Sequence, residues 1–217
     1  MAKTLTIEFS VTTGCNLRCA YCYSNHKPQY MNFEVCDKFF EVIDDFMEMY
    51  GCDGYHISYF GGEPLENFEV IKYTLPKFNE DKRCKSTCII TNGTLLTEGI
   101  VLFLKQYNCG ISFSFDGINQ SKNRPMANKE DSFETILKKK EIIKSITNSC
   151  KVMIDPRSLK NMTENFEFFV NDFGFNNPDF SLVRDNIYTS KDIENYKEEI
   201  HKLANKVIAY NLGYENY

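Results

Sequence analysis

The stretch Thr4-Leu5-Thr6-Ile7-Glu8-Phe9-Ser10-Val11-Thr12-Thr13-Gly14-Cys15-Asn16-Leu17-Arg18-Cys19-Ala20-Tyr21-Cys22 sets a strand against an unusual loop. Residues Thr4 to Val11 are rich in β-branched and aromatic side chains and read as a strand. Directly after it, Cys15, Cys19 and Cys22 fall within eight residues, spaced C-x3-C-x2-C. A loop with that spacing can fold its thiolates around one metal centre. Zinc would want a fourth ligand, such as His26 or Cys36. A [4Fe–4S] cluster normally takes four cysteines, so three leave one iron open to a substrate or cofactor. The bland alternative is ordinary burial. It accounts poorly for three cysteines in a loop led by Gly14.

Outward from this unit, strand and helix patterns alternate six times. The later strand candidates are Gly54 to Phe60, Ser86 to Thr91, Gly110 to Phe115, Lys151 to Ile154 and Asp179 to Val183. The first helix is predicted over Asn32 to Tyr50, with apolar positions Cys36, Phe39, Ile43, Phe46 and Tyr50 and a stop at Gly51. A short second helix, Asn67 to Leu75, should break at Pro76. A third starts at Thr97. Capping boxes at Asp131/Glu134 and Asn161/Glu164 open the fourth and fifth, the latter ending at Gly174. The sixth runs from Thr189 or Ser190 to Asn211, striped by Ile193, Tyr196, Ile200, Leu203 and Val207. Serial β-α units predict an α/β fold with a parallel sheet and helical crossovers. Such sheets place their working residues beyond the C-terminal strand ends.

Each further motif follows a strand. Phe60-Gly61-Gly62-Glu63-Pro64 follows the second. Two glycines let a backbone approach a ligand closely or take positive φ, and the Glu63 carboxylate can receive an ammonium. Read alone, the segment is a turn. Thr91-Asn92-Gly93 follows the third and is a common turn signal; Asn92 is a candidate site-lining residue. After the fourth, period two puts Ser112, Ser114 and Asp116 on one face, which points to a polar pocket. The alternative is a solvent-facing strand side, rare in covered parallel sheets.

Thr13-Gly14-Cys15-Asn16-Leu17-Arg18-Cys19-Ala20-Tyr21-Cys22-Tyr23 together with Gly61-Gly62-Glu63-Pro64 resembles the radical S-adenosylmethionine (SAM) enzymes, most of all the sulfatase-maturase and peptide-modifying branch. The resemblance spans residues 4 to 210 and implies a partial (β/α)6 TIM-like barrel. It implies that Cys15, Cys19 and Cys22 hold a [4Fe–4S] cluster whose fourth iron is chelated by SAM. Tyr21 would lie near the adenine, and Gly61, Gly62 and Glu63 would meet the methionyl amino group. Ser114, in an S-x-DG motif with Asp116, would contact ribose or carboxylate, and Arg124 would hold the carboxylate. Val183 or Leu182 would pack on the adenine. The spacer Ile118 to Asn123 departs from the longer His-Asp spacer usual in sulfatase maturases. The implied chemistry is reductive cleavage of SAM to a 5′-deoxyadenosyl radical, which abstracts hydrogen from a peptide or protein side chain. A small-metabolite substrate, a non-catalytic Fe–S binding module and a truncated maturase core are the alternatives. An electron donor such as flavodoxin or ferredoxin, oxygen sensitivity and anaerobic physiology follow from the same resemblance.

The rest of the composition is consistent with these expectations. The chain has 217 residues, enough for one substantial core, read as a single domain over 1–217. Lys plus Arg is 25 against 30 Asp plus Glu, a net charge of −5, which gives no global drive onto nucleic acid or anionic membrane. No apolar run suits a membrane span, and no h-region follows Thr4, so a cytoplasmic place is expected. Of nine cysteines, the six outside the loop read mainly as small buried hydrophobes. Cys84 and Cys88 repeat the x3 spacing, but four strand residues span about 13 Å, too far for one iron. His26, His56 and His201 show no metal spacing. The chain ends at Tyr217 with no cysteine-rich extension carrying auxiliary clusters, so exposed apolar surface is expected.

Overall fold

The structure, a computed structural model, describes residues 3–184 and 186–211; residues 1, 2, 185 and 212–217 lie outside the described residues. Six strands follow chain order: β1 Thr4–Thr12, β2 Gly54–Gly61, β3 Cys84–Thr91, β4 Gly110–Phe113, β5 Ser149–Ile154 and β6 Asn177–Leu182. β1 to β4 form one parallel sheet, and β5 pairs with β6 in parallel. A parallel bridge between Ser114 and Lys151 and a bond from Phe115 N to Lys151 O (3.1 Å) join the two sheets. No pairing joins β6 to β1 among the described residues, so the barrel is partial.

The alternation of side chains decides which face is core. Phe9 and Val11, then Tyr55, Ile57 and Tyr59, then Ile89, Phe113, Val152 and Ile154 are buried, and they point outward under the helices. Rings dominate this layer. Phe9, Phe39, Tyr59 and Phe78 pack under β1 and β2, and Phe113, Phe115, Phe169, Phe173 and Phe175 under β4. The intervening positions, Glu8, Ser10, Ser58, Ser112, Lys151 and Asp179, face the concave side and are exposed or half-buried.

The helices are α1 Phe33–Tyr50, α2 Phe68–Glu80, α3 Glu98–Gln106, α4 Gln120–Asn123, α5 Ser132–Leu137, α6 Lys140–Lys144, α7 Met162–Glu167 and α8 Ser190–Asn211. α7 runs on into a π-helical turn, Phe168–Phe173. Asn32 caps α1 by accepting from Val35 N, and Gly51 closes it at φ 59°. The buried face of α1 is Cys36, Ile43 and Met47, while Phe46 and Tyr50 of the expected stripe are exposed. α2 does not stop before Pro76. Leu75 and Phe78 are both fully buried, and that packing carries the helix past the missing N–H. Asp131 caps α5 as expected. Asn161 instead bonds the Glu164 side chain at 3.0 Å and caps nothing, because a 3-10 turn, Leu159–Asn161, already leads into α7. On α8, Ile193 and Ile200 of the expected stripe stay exposed.

Candidate active site

The loop after β1 is clamped along its length. Arg18 N donates to Pro125 O (2.7 Å), Ala20 N to Asn123 O (2.8 Å) and Ala127 N to Asn16 O (2.9 Å). Leu17 is buried beneath it and pairs with Met126. The Asn16 amide donates to Thr94 Oγ1 (2.7 Å) and its carbonyl accepts from Asn92 Nδ2 (3.0 Å). These bonds present Cys15, Cys19 and Cys22 to one cavity of about 770 Å³ at the C-terminal strand ends. All three thiols are free; Cys15 and Cys19 are half-buried and Cys22 is exposed.

The double glycine explains how the loop is seated. A Cβ on Gly61 would stand 2.0 Å from Thr12 O, and one on Gly62 2.1 Å from Gly14 O. With no side chain there, Gly62 N reaches Thr12 O (2.9 Å) and Glu63 N reaches Gly14 O (2.8 Å). Both glycines also line the cavity.

Glu63 does not line it. Its carboxylate is buried behind the wall, where Oε1 accepts from Thr91 Oγ1 (2.7 Å) and Leu65 N (3.1 Å) and Oε2 from Asn92 N (2.7 Å). Burial pushes this carboxyl up to about 7 against the pull of those donors. Asn92 does line the cavity, and its Nδ2 lies 4.0 Å from Cys15 Sγ.

Asp116 is likewise fully buried and out of the cavity wall. Its Oδ1 accepts from Met153 N (2.9 Å), and its Oδ2 from Tyr21 Oη (2.6 Å) and Asn123 Nδ2 (3.2 Å). Arg124 Nε stands 3.1 Å from Oδ1 as an ion pair rather than an aligned hydrogen bond. The Arg124 guanidinium lies 5.4 Å from the centre of the Tyr21 ring. Ser114, Arg124, Tyr21 and Val183 all line the cavity. β4 ends at Phe113, so period two does not carry from Ser112 to Asp116; Ser112 is exposed, Ser114 faces the cavity and Asp116 turns beneath it.

The thiols suit a cationic centre. Burial pushes Cys15 up to about 12 and raises Cys19, which Arg124 partly offsets. Buried thiolates therefore need positive charge beside them. Leu17 N points at Cys15 Sγ and Ser24 N at Cys22 Sγ, each at 3.4 Å, as donors to charged sulfur would. Among the described residues no three His, Cys, Asp or Glu converge as ligands of a single metal ion.

Residues 9–156 match the Radical SAM superfamily. The chain belongs to that family. Radical SAM enzymes use a [4Fe–4S] cluster and SAM. The radical SAM cyclopropyl synthase TigE of Paramaledivibacter caminithermalis is 29% identical over 227 aligned positions, covering 97% of this chain and 47% of that protein. The antilisterial bacteriocin subtilosin biosynthesis protein AlbA of Bacillus subtilis is 26% identical, covering 89% of this chain and 44% of that protein. The chain thus spans about half the length of these two relatives. Native anSMEcpe with bound AdoMet and Cp18Cys peptide superposes with a TM-score of 0.75 at 20% identity, covering 95% of this chain and 62% of that one. The shared fold is the partial barrel.

The cavity also has walls that sequence reasoning does not single out: Ser10, Phe60 and Ile90 on β1 to β3, Lys151 and Met153 on β5, and Ser181 and Arg184 on and beyond β6. A lysine in the middle of a strand covered by helices was the available clue. No helix among the described residues is long and apolar enough to cross a membrane.

Proposed function

We propose that this chain is a radical SAM enzyme acting on a peptide or protein side chain, with Cys15, Cys19 and Cys22 as the cluster ligands. When bound, cluster and SAM supply one-electron cleavage of SAM to methionine and a 5′-deoxyadenosyl radical, which removes a hydrogen atom from the substrate. The residues of the chain hold and screen the reactants. Arg124 offers a guanidinium to the SAM carboxylate, and Ser114 offers a hydroxyl. Gly61 and Gly62 offer backbone without steric bulk, and Val183 an apolar surface for adenine. Tyr21 closes the wall beside Arg124. Asp116 and Glu63 act through others and are positioning residues: one fixes Tyr21 and Arg124, the other fixes Asn92. A reduced electron carrier such as flavodoxin or ferredoxin supplies the electron in the cytoplasm, where thiols stay reduced.

One observation carries this reading: three free thiols share a cavity wall with a buried arginine and a close-packed double glycine. The peptide substrate is supported by what similar proteins do. AlbA serves bacteriocin biosynthesis, and SuiB of Streptococcus suis, which superposes with a TM-score of 0.61, was solved bound to precursor peptide SuiA. A small-molecule substrate is the second reading, since a GTP 3′,8-cyclase of Aquifex aeolicus is 26% identical over 63% of the chain. The test is release of 5′-deoxyadenosine. The protein is reconstituted anaerobically with iron and sulfide, given SAM and dithionite, and assayed by chromatography. Release above a Cys15→Ala control supports the reading; a visible cluster without release sinks it.

A further inference from the structure

The chain carries 30 acidic and 25 basic side chains, yet the described residues lining the cavity include no Asp or Glu. They do include Arg124, Lys151 and Arg184. Apart from the three cysteines, the charged side chains of this wall are all cations in an otherwise acidic protein, and a ligand of opposite sign accounts for that local choice.

The three cations are not equivalent. Arg124 pairs through Nε with buried Asp116 and is the group already offered to the SAM carboxylate. Lys151 stands on the concave face of β5, bridged to Ser114 just beyond β4 and in register with Asp179 on β6. Its ammonium meets Asp179 Oδ2 at 2.7 Å, but the two side chains are 41% and 62% exposed. A pair that open to water is screened and contributes little, so the ammonium is available to a ligand anion. Arg184 follows β6, is exposed, and makes no ion pair among the described residues. Glu8 and Asp179 are the concave-face carboxylates of β1 and β6, and neither lines the cavity. The hydroxyls of Ser10 and Ser181 add only neutral donors to the wall.

We propose that the peptide segment entering this cavity carries a carboxylate beside the reacting residue, and that Lys151 and Arg184 receive it. This rests on the peptide reading above and narrows it to acidic segments. Arginine gives the anion a two-pronged donor and lysine a mobile point charge.

The test is fluorescence anisotropy of the reconstituted protein with SAM present. The probes are a labelled Gly-Ser-Glu-Glu-Ser-Gly peptide and its Gln-Gln and Lys-Lys counterparts. The acidic peptide should bind at least about 10-fold tighter than either counterpart, the effect expected of charge-assisted bonds. Lys151→Gln combined with Arg184→Gln should erase the preference, and Lys151→Arg should keep it. Asp179→Asn, an exposed change that leaves the fold untouched, should tighten acidic binding about 3-fold by freeing Lys151 from its competitor. Equal binding of the three peptides overturns the proposal. So does a preference that survives the double change, or weaker acidic binding in Asp179→Asn. GTP binding through Lys151 and Arg184 while the acidic peptide fails would overturn the peptide carboxylate as the anion. Failure of the parent reading is seen separately, as wild-type protein that releases no 5′-deoxyadenosine.

Discussion

Replacing Asp116 with Asn and Tyr21 with Phe, singly and together, measures the bond that ties the cysteine loop to the end of β4. Tyr21→Phe removes one donor from a 2.6 Å bond to a fully buried carboxylate. A hydrogen bond to a charged group is worth about 1.5–3 kcal/mol, and the loss should fall in that range. Asp116→Asn keeps the shape but removes the charge facing Arg124, which is 7% exposed. Breaking a buried pair from one side costs about 3–5 kcal/mol. In the double variant the Tyr21 bond is lost only once. An Asn side chain retains a neutral bond to the tyrosine, so the coupling is the charged excess, about 1–2 kcal/mol. Urea unfolding of the reduced, iron-free protein at pH 7, followed by far-UV circular dichroism, gives the four stabilities. Unchanged m-values would show that the unfolded states are comparable. A coupling below about 0.5 kcal/mol, the usual additivity error, would refute the reasoning. The loop would then be held by its other bonds, at Gly14, Asn16, Arg18, Ala20 and Ala127.

Three further outcomes follow from the same geometry. Burial raises the folded-state carboxyl of Glu63 from 4.5 to about 7, so the stability it confers is full below 4.5 and is lost as pH rises through 7. The loss is about 3 kcal/mol, and comparing urea midpoints at pH 5 and pH 8 should show it in wild type but not in Glu63→Gln; equal slopes in both proteins would exclude it. Gly62→Ala drives a Cβ to within 2.1 Å of Gly14 O and should sharply lower iron content after reconstitution, whereas Gly99→Ala, whose Cβ meets only Thr97 Oγ1 at 3.9 Å, should not. If both variants load iron alike, the glycine does not seat the loop. Cys19→Ala should abolish the cluster absorbance and shift stability by no more than about 1 kcal/mol, since a half-buried loop thiol packs little; retained iron would be fatal to its assignment.

All six strands were legible because each carries apolar residues at alternate positions between turn residues. The cysteine loop was legible because its spacing has few other uses. The two buried carboxylates were harder. A strand period extended past Phe113 puts Asp116 beside Ser114, but the chain turns at Gly117, φ 58°, where any Cβ would stand 1.9 Å from Asn165 Oδ1. That turn sends Asp116 under the cavity, toward Met153 and Tyr21, and no local pattern encodes it. Glu63 follows the double glycine in sequence, yet its role depends on Thr91 and Asn92, about thirty residues away in the chain. Helical period and propensity misplace Phe46, Tyr50 and Pro76, because neighbouring packing chooses the buried face of α1 and the length of α2.

The place of Lys151 follows from which side of the sheet holds the core. In a closed eight-stranded barrel the inner positions are filled by branched apolar side chains. Here the outer positions, Phe9, Val11, Tyr55, Ile57 and Tyr59, are the buried ones, and the inner positions Glu8, Ser10, His56 and Ser58 stay at least partly accessible. Six strands leave the barrel open, so its inside can be solvated or filled by ligands rather than by its own side chains. A strand read with that inversion in mind assigns every polar inner residue to the cavity or to the approach to it. On β5 the rule singles out Lys151 and Met153 between buried Cys150, Val152 and Ile154, and both do line the cavity. The same alternation places Asp179 and Ser181 on β6, one pairing with the lysine and the other facing the ligand space. The polar half of each strand is therefore where this chain can select its substrate, while the aromatic outer half keeps the core.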